Sequence, residues 1–188
     1  MSSRIFVLTG PSGAGKSSVL DRLLANPPVP FVRFVTTTSR QPRLGEVNGK
    51  DYWFLTPELF EKEIAEDNFL EWGEFYGHKY GSSKLELARV LAQQKPILIT
   101  LDVQGARDLK QLRPDTCIIF IDAPRTDLMQ RTSKRAFQEA EAARRTARLE
   151  MEESFRASAD VVVVNKDGAL DETVERVAEE IRQRVAHE

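Results

Sequence analysis

The feature that most constrains this chain is a glycine-rich motif at residues 10–17, with the sequence GPSGAGKS. It fits the pattern G-x-x-x-x-G-K-[ST]. The apolar run IFVL at residues 5–8 precedes it and is typical of a buried strand, and a helical pattern begins at Ser17. A strand, a glycine-rich turn and a helix N-terminus form an anion cradle, because backbone N–H groups and the helix dipole converge there.

This motif predicts a site for a nucleoside triphosphate with Mg²⁺. Lys16 is expected to reach the β- and γ-phosphates, and the Ser17 hydroxyl is expected to bind the metal. The residues predicted to surround the phosphates are Gly10, Pro11, Ser12, Gly13, Ala14, Gly15, Lys16, Ser17 and Ser18. The motif alone does not say what receives the phosphoryl group.

Length and charge limit the remaining possibilities. A chain of 188 residues suits one domain, with room for small inserted lobes. The net charge of −2 argues against a nucleic-acid or membrane surface. The single cysteine, Cys117, lies in an apolar run, which predicts an inert core thiol and excludes a disulfide within the chain. With no signal-peptide pattern or membrane-length apolar run, the chain is expected to be cytoplasmic. Its oligomeric state does not follow from the sequence.

Apolar runs alternate with helical patterns along the chain. Strands are predicted at 5–8, 31–37, 97–103, 117–121 and 161–164, and helices at about 17–26, 83–95, 103–112, 125–134, 138–156 and 170–187. The runs at 97–101 and 161–164 are almost wholly apolar, as in parallel strands covered on both faces. The alternation predicts a three-layer α/β fold with a parallel central sheet.

Two segments interrupt this alternation. Residues 39–82 hold turn signals, charges and aromatic residues, and predict a lobe inserted at the sheet edge where ligands bind. Within it, Thr56 and Pro57 are expected to begin a short helix as N-cap and first residue. Residues 131–148 are rich in arginine and are predicted to form a lid facing phosphate, with a solvated, ion-paired helix face as the alternative. The core would then comprise 1–38, 83–130 and 149–188.

The acceptor is predicted from residues in the inserted lobe. Arg40 and Arg43 can each fork onto phosphate oxygens and together hold a monophosphate, with Tyr52 as a further donor. A carboxylate such as Glu71, set among aromatic residues, can accept the N1–H and amino group of guanine. The hydroxyls of Thr36 and Ser82 can complete the base edge, and Tyr80 can bind phosphate.

In their order and spacing, these motifs resemble the guanylate kinase family. The chain has the glycine-rich motif, then R-x-x-R-x-G-E-x-x-G-x-D-Y at 40–52, E-W at 71–72 with Y-G-S at 80–82, and D-x-Q-G-A at 102–106. The resemblance runs from about residue 4 to about residue 183. It implies a nucleoside-monophosphate-kinase fold with a GMP-binding lobe and an arginine-bearing lid. It also implies phosphorylation of GMP by ATP, with dGMP as a second acceptor.

The resemblance carries roles over to particular residues. Arg40, Arg43, Tyr52 and Tyr80 would hold the GMP phosphate, and Glu71, Thr36 and Ser82 would read guanine. Asp102 would assist Mg²⁺ through water or touch the guanine side, unless it only caps the next helix. In the lid, Arg135 and Arg145 would bridge the donor and acceptor phosphates, and Arg131 is a further candidate.

The chain departs from the family pattern at a few positions. Thr36 replaces the usual Ser but keeps the hydroxyl, and Thr100 stands where many members have an acidic residue. The lid sequence at 135–141, RAFQEAE, differs most, so Arg144 and Arg148 remain alternatives to Arg145. Two other functions compete: a P-loop kinase of another phosphorylated small molecule, and a non-catalytic binding module of this fold. The intact motif and guanine-reading set disfavour both.

Overall fold

The computed structural model describes residues 4–75, 77–133, 152 and 154–186. In chain order its elements are β1 (Ile5–Thr9), α1 (Lys16–Ala25), β2 (Val32–Arg33), β3 (Thr37–Thr38), β4 (Trp53–Phe54), α2 (Pro57–Ala65), β5 (Phe69–Phe75), β6 (His78–Ser83), α3 (Lys84–Leu91), β7 (Ile97–Thr100), α4 (Val103–Leu112), β8 (Cys117–Asp122), α5 (Arg125–Ser133), the 3₁₀ turn Arg156–Ser158, β9 (Val161–Val164) and α6 (Leu170–Ala186).

The central sheet has five parallel strands in the order β2-β7-β1-β8-β9. Side chains that alternate along each strand enter two separate cores. Phe6, Leu8 and Leu98 pack with residues of α1 and α6, whereas Ile5, Val7 and Ile97 pack with residues of α3 and α4. The sheet is therefore covered by helices on both faces, which confirms the predicted three-layer α/β fold.

A second sheet of four strands, in the order β4-β3-β6-β5, lies beside the first. Its long hairpin pairs β5 with β6 in antiparallel register, and β3 joins the hairpin through β6. Helix α2 follows β4, with the Thr56 side chain accepting the Leu59 N–H and Pro57 as its first residue, as predicted. Two residues of the predicted core range, Thr37 and Thr38, belong to this second sheet.

Three predicted elements differ from the structure by more than one residue. The strand predicted at 31–37 was wrong as a single element, because β2 pairs with the central sheet and β3 with the second sheet. The strand predicted at 97–103 ends at Thr100, since Asp102 caps α4. The helix predicted at 83–95 ends at Leu91. The helix predicted at 138–156 lies almost wholly outside the described residues.

Cys117 begins β8 and is buried, as predicted. Burial raises the pKa of its thiol to about 11, so the thiolate is scarce at neutral pH. Across the described part of the chain, no helix is both long and apolar enough to span a membrane.

Candidate nucleotide-binding cleft

The glycine-rich motif forms the loop between β1 and α1, as the sequence predicts. Gly15 is the N-cap of α1 and has a φ of +96°, a conformation that favours glycine. A Cβ at this position would lie 2.4 Å from Nδ2 of Asn165, so a side chain would also collide there. The loop therefore needs glycine at this position both for its backbone and for its packing.

Lys16 lies over this loop. Its Nζ donates hydrogen bonds to the carbonyl oxygens of Gly10, at 2.6 Å, and Pro11, at 2.9 Å. Of the predicted phosphate-binding residues, those that line the cleft are Gly10, Ser12, Gly13, Gly15, Lys16, Ser17 and Ser18. Pro11 and Ala14 are buried and do not line the cleft. The Pro11 carbonyl oxygen accepts from Lys16, and the Ala14 carbonyl oxygen accepts from Nδ2 of Asn165.

The cleft has a volume of about 830 Å³ and extends from the glycine-rich loop to the second sheet. It brings residues predicted for the donor and the acceptor into one space. The predicted acceptor residues that line it are Thr36, Arg40, Arg43, Tyr52, Glu71, Tyr80 and Asp102. The arrangement can therefore hold two anionic ligands in one cleft.

Arg40 is buried and fixed by Glu46. Its Nη1 and Nη2 atoms donate to the two carboxylate oxygens, each at 2.9 Å. This paired hydrogen bond raises the pKa of Arg40 and lowers that of Glu46. Glu46 also accepts the backbone N–H of Arg43 at 2.6 Å, so one carboxylate organises both arginines. Glu46 is part of the sequence motif at 40–52, and no role was predicted for it.

Further groups surround the Arg40 guanidinium. Nη1 also donates to the Gln41 carbonyl oxygen at 2.7 Å, and Tyr80 forms a hydrogen bond with the Arg40 side chain. Nε of Arg40 is buried and has no hydrogen-bond partner among the described residues. The Tyr52 ring lies 5.5 Å from Cζ of Arg40, and the Tyr80 ring lies edge-on to Tyr52 at 6.0 Å. Burial raises the pKa of Tyr52, which keeps its phenol protonated as a donor. Exposed Arg43 lines the same region, which is suited to a phosphate.

Glu71 lies on β5 and lines the same cleft. Its Oε1 accepts a hydrogen bond of 2.5 Å from Ser82, which is fully buried and does not line the cleft. Helix α4 approaches closely: a Cβ on Gly105 would lie 2.8 Å from Glu71 Oε2. Burial raises the pKa of Glu71 to about 7, with the charges of Asp102 and Asp108 adding to the effect.

Asp102 caps α4, and this is one of the roles that the sequence left open. Its Oδ1 accepts the Gly105 N–H at 2.9 Å while the residue lines the cleft. Thr100 also lines the cleft, and its buried hydroxyl finds no partner within the described segments. The end of β7 thus presents a carboxylate and a hydroxyl at the carboxyl edge of the sheet, where α/β folds bind ligands.

Asn165 was missed by the sequence analysis. It follows β9, is buried, and donates from Nδ2 to the Ala14 carbonyl oxygen at 2.7 Å. Its Oδ1 accepts from the Thr173 hydroxyl on α6 at 3.1 Å. Its position just after a parallel strand was the available signal. Asn165 thereby ties the glycine-rich loop to two other elements.

Arg131, the further lid candidate, lies near the same loop. Its Nη1 donates to the Gly13 carbonyl oxygen at 3.3 Å, and the residue lines the cleft. The other lid predictions, Arg135 and Arg145 with the alternatives Arg144 and Arg148, lie outside the described residues.

Comparisons with known proteins agree with these features. The profile of the guanylate kinase family matches residues 2–184 of the chain. Guanylate kinase of Synechocystis sp. is 37% identical over 176 residues, covering 93% of this chain and 91% of that protein. Guanylate kinase of Sus scrofa is 36% identical over 192 residues, covering 98% and 97%.

Solved structures give the same result at the level of fold. The crystal structure of guanylate kinase from Anaplasma phagocytophilum matches with a TM-score of 0.75 and 28% identity, over 97% of this chain and 86% of that one. A shikimate kinase from Acinetobacter baumannii shares the fold alone, with a TM-score of 0.53 and 18% identity.

Proposed function

The chain belongs to the guanylate kinase family, and from that membership we propose which of its residues carry out the reaction. The protein is a nucleoside monophosphate kinase that transfers a phosphoryl group from ATP to GMP. The observation that supports the residue assignments is one cleft lined by the glycine-rich loop, by the two motif arginines and by Glu71. We expect dGMP to be a second acceptor, as the family resemblance implies.

ATP would bind through its phosphates at the loop of residues 10–15 and at the first turn of α1. Backbone N–H groups and the helix dipole favour the anion there. Lys16 would exchange its bonds to the loop carbonyls for bonds to the β- and γ-phosphates. Arg131 already lies beside the loop and would contribute a further positive charge at this end of the cleft.

The GMP phosphate would bind at Arg40, Arg43, Tyr52 and Tyr80. Glu46 holds two nitrogen atoms of the Arg40 guanidinium, which fixes the orientation of the remaining N–H groups. A preorganised arginine loses less conformational freedom on binding. We therefore include Glu46 in the acceptor site as the residue that orients the Arg40 guanidinium and fixes the backbone at Arg43.

Guanine would be read by Glu71 and Thr36. As a carboxylate, Glu71 accepts from the N1–H and amino groups, a donor pair that adenine does not present. Ser82 is buried behind Glu71, so we assign it the orientation of that carboxylate in addition to the predicted base contact. Asp102 lines the cleft close enough to Glu71 to raise its pKa, which supports a place on the guanine side.

The oxygen donors in the cleft fit Mg²⁺, which prefers hydroxyl, carboxylate, phosphate and water ligands. Ser17 would bind the ion directly, and a contact of Asp102 with Mg²⁺ through water is the alternative to its place on the guanine side. No group of three or more His, Cys, Asp or Glu residues able to hold a metal occurs in the described segments. This fits an ion held mainly by the nucleotide phosphates. When bound, Mg²⁺ supplies positive charge that offsets the charge of the phosphates.

In the transfer step, an oxygen of the GMP phosphate forms a bond to the γ-phosphorus of ATP. The bond from that phosphorus to the β–γ bridging oxygen breaks, and ADP and GDP result. The attacking oxygen is already ionised at neutral pH, so no general base is needed. Lys16, with Arg135 and Arg145 of the lid, would stabilise charge on the moving group.

We propose the predicted division of the chain into a core (1–38, 83–130 and 149–188), a GMP-binding lobe (39–82) and a lid (131–148), with Thr37 and Thr38 joining the lobe through β3. Binding of both nucleotides would close the lobe and lid over the cleft. Closure would exclude water, so that ATP is transferred to GMP and not hydrolysed. A cytoplasmic location stays a prediction from the sequence.

An acceptor screen tests the site assignment. Release of ADP is measured with GMP, dGMP, AMP, CMP, UMP and a ribose bisphosphate, for the parent protein and for Glu71→Gln. The amide turns a donor toward the guanine N1–H, so kcat/KM for GMP should fall by about 10²-fold or more relative to that for AMP.

The matched control is Glu74→Gln, an exposed carboxylate on the same strand. This variant should keep the preference of the parent protein. An unchanged ratio of GMP to AMP turnover in Glu71→Gln would overturn the role of Glu71 in reading the base.

A further inference from the structure

Glu86 is a buried carboxylate that takes no part in the nucleotide cleft. It lies in the first turn of α3, and only 2% of its side chain is exposed. Burying a carboxylate costs free energy unless hydrogen bonds to protein groups replace those that it makes to water. The partners of Glu86 therefore show what stabilises it.

The first partner lies where the chain passes from the central sheet to the second sheet. Glu86 Oε1 accepts the backbone N–H of Val35 at 2.8 Å, between β2 and β3. Arg89, one turn further along α3, donates to both oxygens of Glu86 at 2.7 and 2.6 Å and also to the Arg33 carbonyl oxygen on β2 at 3.1 Å. Glu86 and Arg89 therefore hydrogen-bond to the chain at two points of this crossing, Val35 and Arg33.

The second partner lies within the second sheet. Trp53 on β4 donates from its indole Nε1 to Glu86 Oε2 at 3.3 Å. The chain returns to the core at the same place, because β6 ends at Ser83 and α3 follows directly. The Ser83 hydroxyl accepts the Glu86 N–H at 3.1 Å. Glu86 thus contacts both crossings between the sheets, the first through its carboxylate and the second through its backbone N–H.

Two residues that Glu86 contacts are adjacent in sequence to residues of the proposed acceptor site. Val35 precedes Thr36, and Trp53 follows Tyr52, and both Thr36 and Tyr52 line the cleft. The backbone N–H of Trp53 donates to the Thr36 carbonyl oxygen at 2.8 Å. A shift of Val35 or Trp53 would therefore move residues assigned to guanine and to phosphate.

We propose that Glu86 is a positioning residue for the acceptor, which holds the second sheet and its GMP-binding residues at the correct place relative to the glycine-rich loop. The residue touches neither nucleotide. Its loss should weaken the use of GMP while leaving ATP binding intact, because the loop is held by other contacts, including Asn165. The proposal rests on the acceptor site assigned above.

The sharpest test is Trp53→Phe, which removes the indole donor and keeps an aromatic ring on a residue that is 37% exposed. The KM for GMP should rise about three- to tenfold, as for a lost hydrogen bond. The KM for ATP should change less than about twofold. Trp72→Phe is the matched control, because Trp72 lies in the same sheet, is exposed and is outside the cleft.

Glu86→Gln gives an independent measurement. It should raise the KM for GMP at least as much as Trp53→Phe does. In a Trp72→Phe background, where Trp53 is the sole tryptophan, it should also change the indole emission. The proposal would be overturned if Trp53→Phe raised both KM values equally, left the KM for GMP unchanged or lowered it. Failure of the acceptor site itself would appear separately, as an unchanged base preference in Glu71→Gln.

Discussion

Glu71 lies in an environment that moves the titration of its carboxyl group to near neutral pH. Burial raises its pKa to about 7, so the carboxyl group takes up a proton as the pH falls through that value. Only the carboxylate accepts from both donors of guanine. GMP binding should therefore weaken below about pH 7, and binding near that pH should release a proton.

Calorimetric titration of GMP between pH 5.5 and 8.5 measures this effect. The phosphate of GMP also titrates, near pH 6, so the comparison must remove that contribution. Glu71→Gln does so, because it keeps the ligand and loses the carboxyl group. A dissociation constant with the same pH dependence in both proteins would contradict the assignment.

Lys16 is the residue whose loss should affect chemistry most directly. Its ammonium donates to the carbonyl oxygens of Gly10 and Pro11 in its own loop, so Lys16→Ala should remain folded. We expect kcat for GMP phosphorylation to fall by at least about 10²-fold, as when one donor to a transition-state charge is removed. ADP release and thermal unfolding are measured together, and near-normal turnover would refute the role of the loop.

At the scale of elements, Asn165 joins the glycine-rich loop to β9 and α6. Asn165→Ala leaves the Ala14 carbonyl oxygen without its donor, at a cost of about 1–3 kcal/mol. We expect a lower Tm and a larger rise in the KM for ATP than in the KM for GMP. Asn26→Ala, at the exposed far end of α1, should change neither. Equal effects on both substrates would show that Asn165 is only structural.

The elements also show which parts of the fold can be predicted from sequence. The runs at 97–101 and 161–164 identified central strands because a strand buried on both faces must be apolar throughout. Strands β2 and β3 have two residues each and are fixed by their neighbours, so local pattern could not separate them. The hairpin of β5 and β6 is mostly half-exposed, and its apolar content was too mixed to predict strands.

The same distinction applies to the candidate site. Local sequence motifs were sufficient to predict Lys16, Arg40 and Glu71 as candidate site residues. Asn165 and Glu86 could not be predicted in this way, because Asn165 acts on a loop some 150 positions away and Glu86 bonds to residues 51 and 33 positions away. The tertiary fold determines which groups a buried polar side chain bonds to, so these partners cannot be identified from a single sequence.

For the whole molecule, the open cleft between the two sheets predicts closure on binding. Small-angle scattering should show a smaller radius of gyration when GMP and a non-hydrolysable ATP analogue are both present. Either ligand alone should give a smaller decrease, since each fills only part of the cleft of about 830 Å³. The same radius with and without both ligands would contradict a closing lobe and lid.

The lone thiol in β8 has a practical consequence for observing such motion. Because Cys117 is buried and its thiol stays protonated, a maleimide dye should not react with it under mild conditions. Any cysteine engineered on the outer rim of either sheet would then be the sole attachment point for a fluorophore. The natural chain is thus ready for energy-transfer labelling without first replacing its own sulfhydryl.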